Sequence, residues 1–244
     1  MNTSWWCDLM IPKTIHFCWF GKGEKPRLAN KCIESWKKYC PDYKIIEWNE
    51  DNFDINSNQY VREAYDAKKY AFVTDYVRLY ALYTEGGIYM DTDVEVIRSL
   101  DRYLSDRGFS GFELIDKVPT GIMASEKGLP IIGELLSDYD GKRFILPDGS
   151  YNMTTNCIYI TDTMKKYGLK LNGKKQTVSD FTFYPPEVFC PIESATGIMR
   201  KTSETATIHW FNQSWNSIPH KLLTPFSRAF RRVFGINSLN WLKR

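Results

Sequence analysis

Residues 70–96, YAFVTDYVRLYALYTEGGIYMDTDVEV, constrain the fold of this chain more than any other stretch. Ala71, Phe72, Val73, Tyr76, Val77, Leu79, Tyr80, Leu82 and Tyr83 make a helix that is apolar nearly all round, the pattern of a buried rather than an amphipathic helix. Gly86 and Gly87 let that helix stop and the chain turn sharply. Ile88, Tyr89 and Met90 then read as a short buried strand. A buried helix that feeds directly into a buried strand needs cover on both faces, which points to a layered α/β architecture.

The strand run leads to two carboxylates, Asp91 and Asp93. In an extended chain alternate side chains point the same way, so these two are expected to share a face, with Thr92 turned to the other. Paired hard oxygen ligands suit Mg2+ or Mn2+, which fill the rest of their shell with water and substrate phosphate. Surface turns also produce Asp-x-Asp, so the motif needs its context. The helix supplies some, because it carries Asp75 and Arg78 three residues apart and so on one face. Buried charges are costly unless paired or put to use. Two readings fit these residues: a structural ion pair, or a carboxylate and a guanidinium facing a hydroxyl-rich or phosphate-bearing ligand.

At 244 residues, with 43% hydrophobic and 25% charged residues, the chain suits one α/β domain with a sizeable core. The aromatic content of 15% fits sugar and base stacking, and plain packing as well. Six cysteines, Cys7, Cys18, Cys32, Cys40, Cys157 and Cys190, show no CxxC or zinc-like spacing and read as free, mostly buried thiols. No apolar run reaches membrane-spanning length and no signal-peptide pattern opens the chain, so a cytoplasmic enzyme is expected. No nucleic-acid partner is expected. Residues 1–10 are treated as an N-terminal extension without assigned function.

Along the chain, strands are expected at 13–20, 43–48, 88–93, 94–97, 108–113, 120–124 and 205–210. Helices are expected from Pro26 to about Tyr39, near Val61, over 71–85, at 130–139 and at 154–167. This alternation predicts a mostly parallel central sheet flanked by helices, with a nucleotide at the carboxyl ends of its strands. The first strand delivers Phe17 to Gly21 there, making Phe17 and Trp19 candidates for the nucleotide. Trp19 is a stacking surface for the base, or else core.

Three segments in order, IPKTIHFCWFG, the 70–96 stretch and IHWFNQSW, resemble the DxD-containing glycosyltransferases of family 32. These include bacterial capsule and surface-polysaccharide transferases and are distantly similar to the glucosylating domains of clostridial toxins. The resemblance runs from about Met10 to Trp215. It implies a GT-A type nucleotide-sugar-binding fold over 11–220 and a retaining hexosyl transfer, most simply from a UDP-sugar, that depends on Mn2+ or Mg2+. The acceptor it implies is a saccharide, lipid-linked in capsule or surface-polysaccharide synthesis. It also implies site roles. Asp93 holds the metal and Asp91 contacts the donor, both being required for catalysis. Asp75 and Arg78 bind the donor sugar. His209 or Asn212 ligates metal or phosphate, Ser214 donates to the diphosphate, and Trp215 closes over the scissile bond. An aromatic at the place of Trp19 stacks on the base in the toxin domains.

Two other readings compete. A haloacid-dehalogenase-type phosphatase also places Asp-x-Asp after an apolar strand, but Glu95 replaces its usual Thr or Val and a long helix precedes the motif. A degenerate, glycan-binding subunit is the non-enzymatic reading. Residues 221–244 carry six basic and no acidic residues, which leaves −3 for the rest of a chain of net charge +3. With Phe226, Ala229, Phe230, Val233 and Phe234 on one face, this tail reads as a basic amphipathic helix. It is expected to hold the enzyme on the anionic inner face of the bacterial plasma membrane.

Overall fold

The computed structural model describes residues 11–113, 118, 121–212, 218–235 and 238, with side chains of the last helix described from 225 onward. The elements run β1 (Thr14–Cys18), α1 (Arg27–Tyr39), β2 (Lys44–Trp48), α2 (Gln59–Asp66), α3 (Tyr70–Glu85), β3 (Gly87–Met90), β4 (Val94–Val96), β5 (Gly108–Gly111) and β6 (Ile122–Ser125). They continue with α4 (Pro130–Ser137), α5 (Asn156–Lys166), β7 (Gln176–Val178), β8 (Phe181–Tyr184), α6 (Pro186–Phe189), β9 (Thr207–His209) and α7 (Ile218–Phe234).

Seven strands form a central sheet in the order β2-β1-β3-β6-β5-β8-β7, and β4 pairs with β9 in a separate ribbon. Both faces are covered, as the alternation of burial shows. Ile15, Phe17, Ile88, Met90, Ile122 and Ala124 point into a core shared with Trp36 of α1. Cys18, Tyr89 and Met123 point into the other, built with Val73, Val77 and Leu82 of α3. The α/β class with a helix-flanked sheet is therefore the observed one.

The expected mostly parallel sheet is not. The β1–β2, β1–β3 and β5–β8 pairs are parallel, whereas β3–β6, β5–β6 and β7–β8 are antiparallel. A parallel neighbour needs a crossover of about a dozen residues or more, usually helical. The link from β5 to β6 is shorter, and the β7–β8 link is two residues, so both return antiparallel. Ser179 and Asp180 make that hairpin with φ of 48° and 61°, the left-handed pair that a primed turn needs. Strands β7 and β8 and the short α6 have no counterpart in the sequence reading.

The Gly86-Gly87 turn is as the sequence demands. Gly86 caps α3, its N–H donating to Leu82 O at 3.0 Å. Both glycines have positive φ, 69° and 108°. A Cβ on Gly86 would lie 2.7 Å from Lys127 N, and one on Gly87 2.7 Å from Thr14 O. Buried His16 ties this turn to the sheet, one ring nitrogen meeting Gly86 O at 2.8 Å and the other accepting from Trp48 Nε1 at 3.1 Å.

Strand β3 ends at Met90, so the expected placement of Asp91 and Asp93 on an extended strand is corrected. Residues 91–93 form a turn closed by Val94 N–H donating to Asp91 O at 3.0 Å, while Asp91 N–H donates to Gly121 O at 2.8 Å. The turn is forced because the chain leaves the sheet here to pair with β9. The predicted free thiols are found: Cys18, Cys32, Cys40, Cys157 and Cys190 are all unpaired with one another, and Cys7 lies outside the described residues.

Candidate active site

The site forms where three elements meet: the α3 face with Asp75 and Arg78, the 91–93 turn, and β9. The register Val94↔His209 brings the imidazole beside the turn. His209 Nε2 is 3.2 Å from Asp93 Oδ1. A ligand atom from each of Asp91, Asp93 and His209 falls within 4.8 Å of the others. Two carboxylates and an imidazole suit Mn2+ or a similar divalent cation, and the spacing spans one ion. The residues present thus fit a metal.

Each ligand is held by its neighbours. Asp93 Oδ2 accepts from Asn212 N–H at 2.8 Å, and its carbonyl accepts from Trp210 N–H at 3.0 Å. Asp91 Oδ1 accepts from Tyr89 Oη at 2.8 Å. His209 stacks on Phe211 with ring centroids 4.2 Å apart. Its seat exists because residue 121 is glycine: a Cβ there would lie 2.8 Å from His209 Nδ1.

Arg78 resolves the ambiguity of the α3 pair by doing more than either reading required. Its Nη2 is 3.2 Å from Asp75 Oδ1 and 3.3 Å from Asp91 Oδ1, and its guanidinium lies 4.6 Å from the Tyr89 ring centre. The Arg78 side chain is 5% exposed, against 12% for Asp75 and 26% for Asp91. It therefore sits beneath the carboxylates and holds them, while they face the open edge. Asp75 is also anchored from across the fold. Its Oδ2 accepts from the N–H of Asn156, the first residue of α5, at 3.2 Å, and Asn156 Nδ2 donates back to Asp75 O at 3.1 Å.

The protonation states follow from this packing. Burial pushes the Asp75 carboxyl up to about 6, with Arg78 and the Asn156 N–H opposing it. Burial also raises Asp91, again against Arg78. Asp93 goes the other way: burial opposes its charge, but His209 and the Asn212 N–H outweigh that and hold it below the usual range. Burial likewise disfavours a charged His209, yet the Asp93 carboxylate raises it well above the ordinary imidazole value. In the protein alone these two form an ion pair. A cation bound between them would displace the proton, since imidazole ligates only when neutral.

The remaining sequence candidates are distributed less simply. Asn212 is an exposed residue that contributes its backbone N–H to Asp93. Phe17 is buried against Trp36, with ring centroids 5.5 Å apart, so it is core and the nucleotide role is corrected. Trp19 is half-buried at the mouth of a cavity of about 290 Å³ that is also lined by Lys25, Glu47 and Glu50. Its Nε1 donates to Gly23 O at 2.6 Å, and Lys25 Nζ lies 5.7 Å from the ring centre. None of Asp75, Arg78, Asp91, Asp93 or His209 lines this cavity. The two places share the carboxyl end of neighbouring strands, however: β1 and β3 run parallel with His16 opposite Tyr89, which puts Cys18 abreast of Asp91 and Trp19 one residue further out. Ser214 and Trp215 lie outside the described residues. Asn156, Gly121 and Tyr89 were not anticipated as site residues; only Tyr89, two residues before Asp91, carried a signal that could have been read.

Residues 26–110 match the family model described as glycosyltransferase sugar-binding region containing DXD motif. The matched stretch is 85 of the 244 residues. It contains Asp75, Arg78, Asp91 and Asp93, whereas His209 lies beyond it. The chain is 29% identical over 133 residues to inositol phosphoceramide mannosyltransferase 3 of Schizosaccharomyces pombe, covering 50% of this chain and 35% of that protein. It is also 29% identical over 123 residues to an uncharacterized protein of Arabidopsis thaliana, covering 50% of this chain and 18% of that one. The chain thus spans about a third or less of the length of these relatives. Among solved structures it is similar to the PaToxG glycosyltransferase, with 18% identity, TM-score 0.47, and coverage of 65% of this chain and 72% of that one. It is similar as well to the galactosyltransferase LgtC, with 14% identity, TM-score 0.46, and coverage of 91% and 94%.

Proposed function

We propose that the protein is a metal-dependent, retaining glycosyltransferase with a GT-A type fold. In this reading it moves a hexose from a nucleotide sugar, a UDP-sugar in the first instance, to a saccharide acceptor. The observation that carries the reading is the Asp91, Asp93 and His209 cluster, placed on a DXD glycosyltransferase region beside the Arg78-linked pair of carboxylates.

Asp91, Asp93 and His209 would hold the ion. When bound, a divalent cation there supplies charge neutralisation for the leaving diphosphate. The chain's own residues do the rest. Asn212 N–H and His209 fix the direction of the Asp93 carboxylate. Tyr89 and Arg78 fix that of Asp91. Asp75, half-titrated near pH 6, can accept from a sugar hydroxyl or donate to one. Arg78 acts through Asp75 and Asp91 as a positioning residue. Trp19 offers a ring face for the base at the same end of the strands.

The acceptor we infer is lipid-linked, at the inner face of a bacterial plasma membrane, in surface-polysaccharide assembly. The basic tail supports this, as does a relative whose name places inositol phosphoceramide as its acceptor.

Thermal-shift screening of nucleotide sugars with and without Mn2+ tests the reading, because a true donor raises apparent stability by mass action. One donor is expected to raise the midpoint with Mn2+ and to be turned over. Turnover of p-nitrophenyl phosphate with no response to any nucleotide sugar would refute it. Proton NMR of the fresh product reads the anomeric configuration, and an inverted product would overturn retention.

A further inference from the structure

Helix α7 is seated the opposite way round from an ordinary surface helix, which buries its apolar stripe and turns its charges to solvent. Here the arginines face the protein. Arg228 Nε donates to Ser194 O at 3.2 Å and, one turn on, Arg232 Nε donates to Thr196 O at 2.7 Å. The receiving segment is a compact turn, closed by Gly197 N–H to Glu193 O at 2.7 Å and by the Ile192↔Met199 bridge. Gly197, at φ 68°, leaves room for both arginines, since a Cβ there would sit 3.1 Å from Arg228 Cδ.

This seating turns Phe226, Phe230, Val233 and Phe234 outward, with exposures of 74%, 42%, 74% and 64%. The clamped segment adds Ile198 and Met199, 40% and 42% exposed. Exposed large apolar side chains gathered on one helix face, with Phe230 and Phe234 in ring contact at 4.5 Å, mark a contact site. Its surroundings specify the contact. After Glu204 the sequence has no acidic residue, while Lys221, Arg228, Arg231, Arg232, Lys243 and Arg244 are basic. Arg200 and Lys201 follow Met199 directly and are exposed. An exposed apolar helix face in a segment of such basic sequence is complementary to an anionic lipid surface. Among the described residues no helix is long and apolar enough to cross a membrane.

We propose that the outward face of α7, together with Ile198 and Met199, inserts into an anionic bilayer surface, and that Arg228 and Arg232 serve to hold the helix on the core with that face presented. The basic character of the tail is thus divided. Two arginines are engaged on carbonyls of the protein, and the remaining charges attract lipid. Binding should accordingly be driven mainly by apolar insertion and survive high salt in part, unlike a purely electrostatic tail.

Co-sedimentation of the full chain with vesicles of phosphatidylcholine containing one-third phosphatidylglycerol tests this without reference to turnover, so its failure is separate from failure of the transferase reading. The wild type is expected to partition onto the vesicles and to remain partly bound at high salt. Phe226→Ser/Phe230→Ser should lower partitioning by about a hundredfold, since each ring contributes about tenfold when buried. Both side chains are exposed, so the melting midpoint should be unchanged. Val233→Asp is the second variant, expected to weaken binding in the same way. On vesicles, amide hydrogen exchange in residues 225–234 should slow. Failure of the wild type to bind, unaltered binding by both variants, or complete release by salt would overturn the proposal. So would sedimentation showing a dimer that Phe226→Ser/Phe230→Ser dissociates, because the face would then cover a second copy of the chain.

Discussion

Replacing Arg78 by Met tests the electrostatic logic of the site. The guanidinium, itself buried, lies 3.2 Å from the nearly buried Asp75 carboxylate and 3.3 Å from the partly exposed one of Asp91. Removing one partner of a buried pair typically costs about 3–5 kcal/mol, because the charge left behind is uncompensated. The cost here has a ceiling set by protonation. Asp75 already titrates at about 6 with Arg78 in place, and without it both Asp75 and Asp91 would rise further. A carboxyl whose folded value is raised adds stability below its unfolded value of about 3.9 and loses it as pH rises through the folded value. For Asp75 the shift of roughly two units amounts to about 3 kcal/mol between pH 4 and pH 8. The penalty of Arg78→Met should therefore depend on pH. Near pH 7.5 it should approach about 4 kcal/mol. Near pH 5, where Asp75 carries its proton, it should fall by half or more. Urea denaturation of both proteins at the two pH values measures this. An equal penalty at both, or one below about 1 kcal/mol at pH 7.5, the ordinary size for an exposed pair, would refute the buried bridge.

Asp93→Asn should lower donor turnover in saturating Mn2+ by about a hundredfold or more, the usual scale for losing charge stabilisation at a leaving group; near-wild-type activity would contradict the metal assignment. Gly121→Ala should push the His209 imidazole from its seat, given the 2.8 Å approach of the added carbon, and weaken Mn2+ binding by about tenfold or more; calorimetric titration with Mn2+ alone reads this. Glu63 accepts from Phe144 N–H, Ile145 N–H and Arg143, which outweigh the burial that opposes its charge and hold it below the usual range. Its contribution is present above the unfolded value and lost as pH falls through the folded one, so Glu63→Gln should cost about 2 kcal/mol at pH 7 and progressively less toward pH 3. Chemical denaturation across that range would expose a pH-independent penalty, which contradicts the assignment.

What could be read from the sequence was local. The all-apolar face of α3, the two glycines that end it and the run Ile88–Met90 each carry their instruction within a few residues, and all three are found as expected. The proline ahead of α1 works in the same way. The β7–β8 hairpin escaped because Ser179 and Asp180 adopt left-handed conformations usually left to glycine or asparagine. Without that punctuation, residues 176–184 offer no turn. The mixed sheet escaped for a different reason. Strand direction depends on which earlier strand the chain returns to, and the composition of β6 is equally suited to either orientation.

The site divides along the same line, and its correction is informative about how DxD motifs work. Alternation along a strand would have put Asp91 and Asp93 on one face without help. In the folded chain they leave the strand and enter a turn, where Tyr89 Oη orients Asp91 but strand alternation no longer brings the two carboxylates together. Convergence is imposed by partners far away in sequence: His209 through the β4–β9 register, Asn212 through its N–H, and Arg78 and Asn156 through Asp75. Each of these contacts either neutralises a carboxylate or orients one, so the site is built by distributing the cost of two neighbouring buried negative charges over four separate elements. That arrangement leaves Asp93 ionised and low while Asp75 and Asp91 are raised. In the proposed reaction the cation would therefore be held most firmly by Asp93, the carboxylate paired to a displaceable proton on His209, and Asp75, raised and held by Arg78, would exchange hydrogen bonds with a sugar.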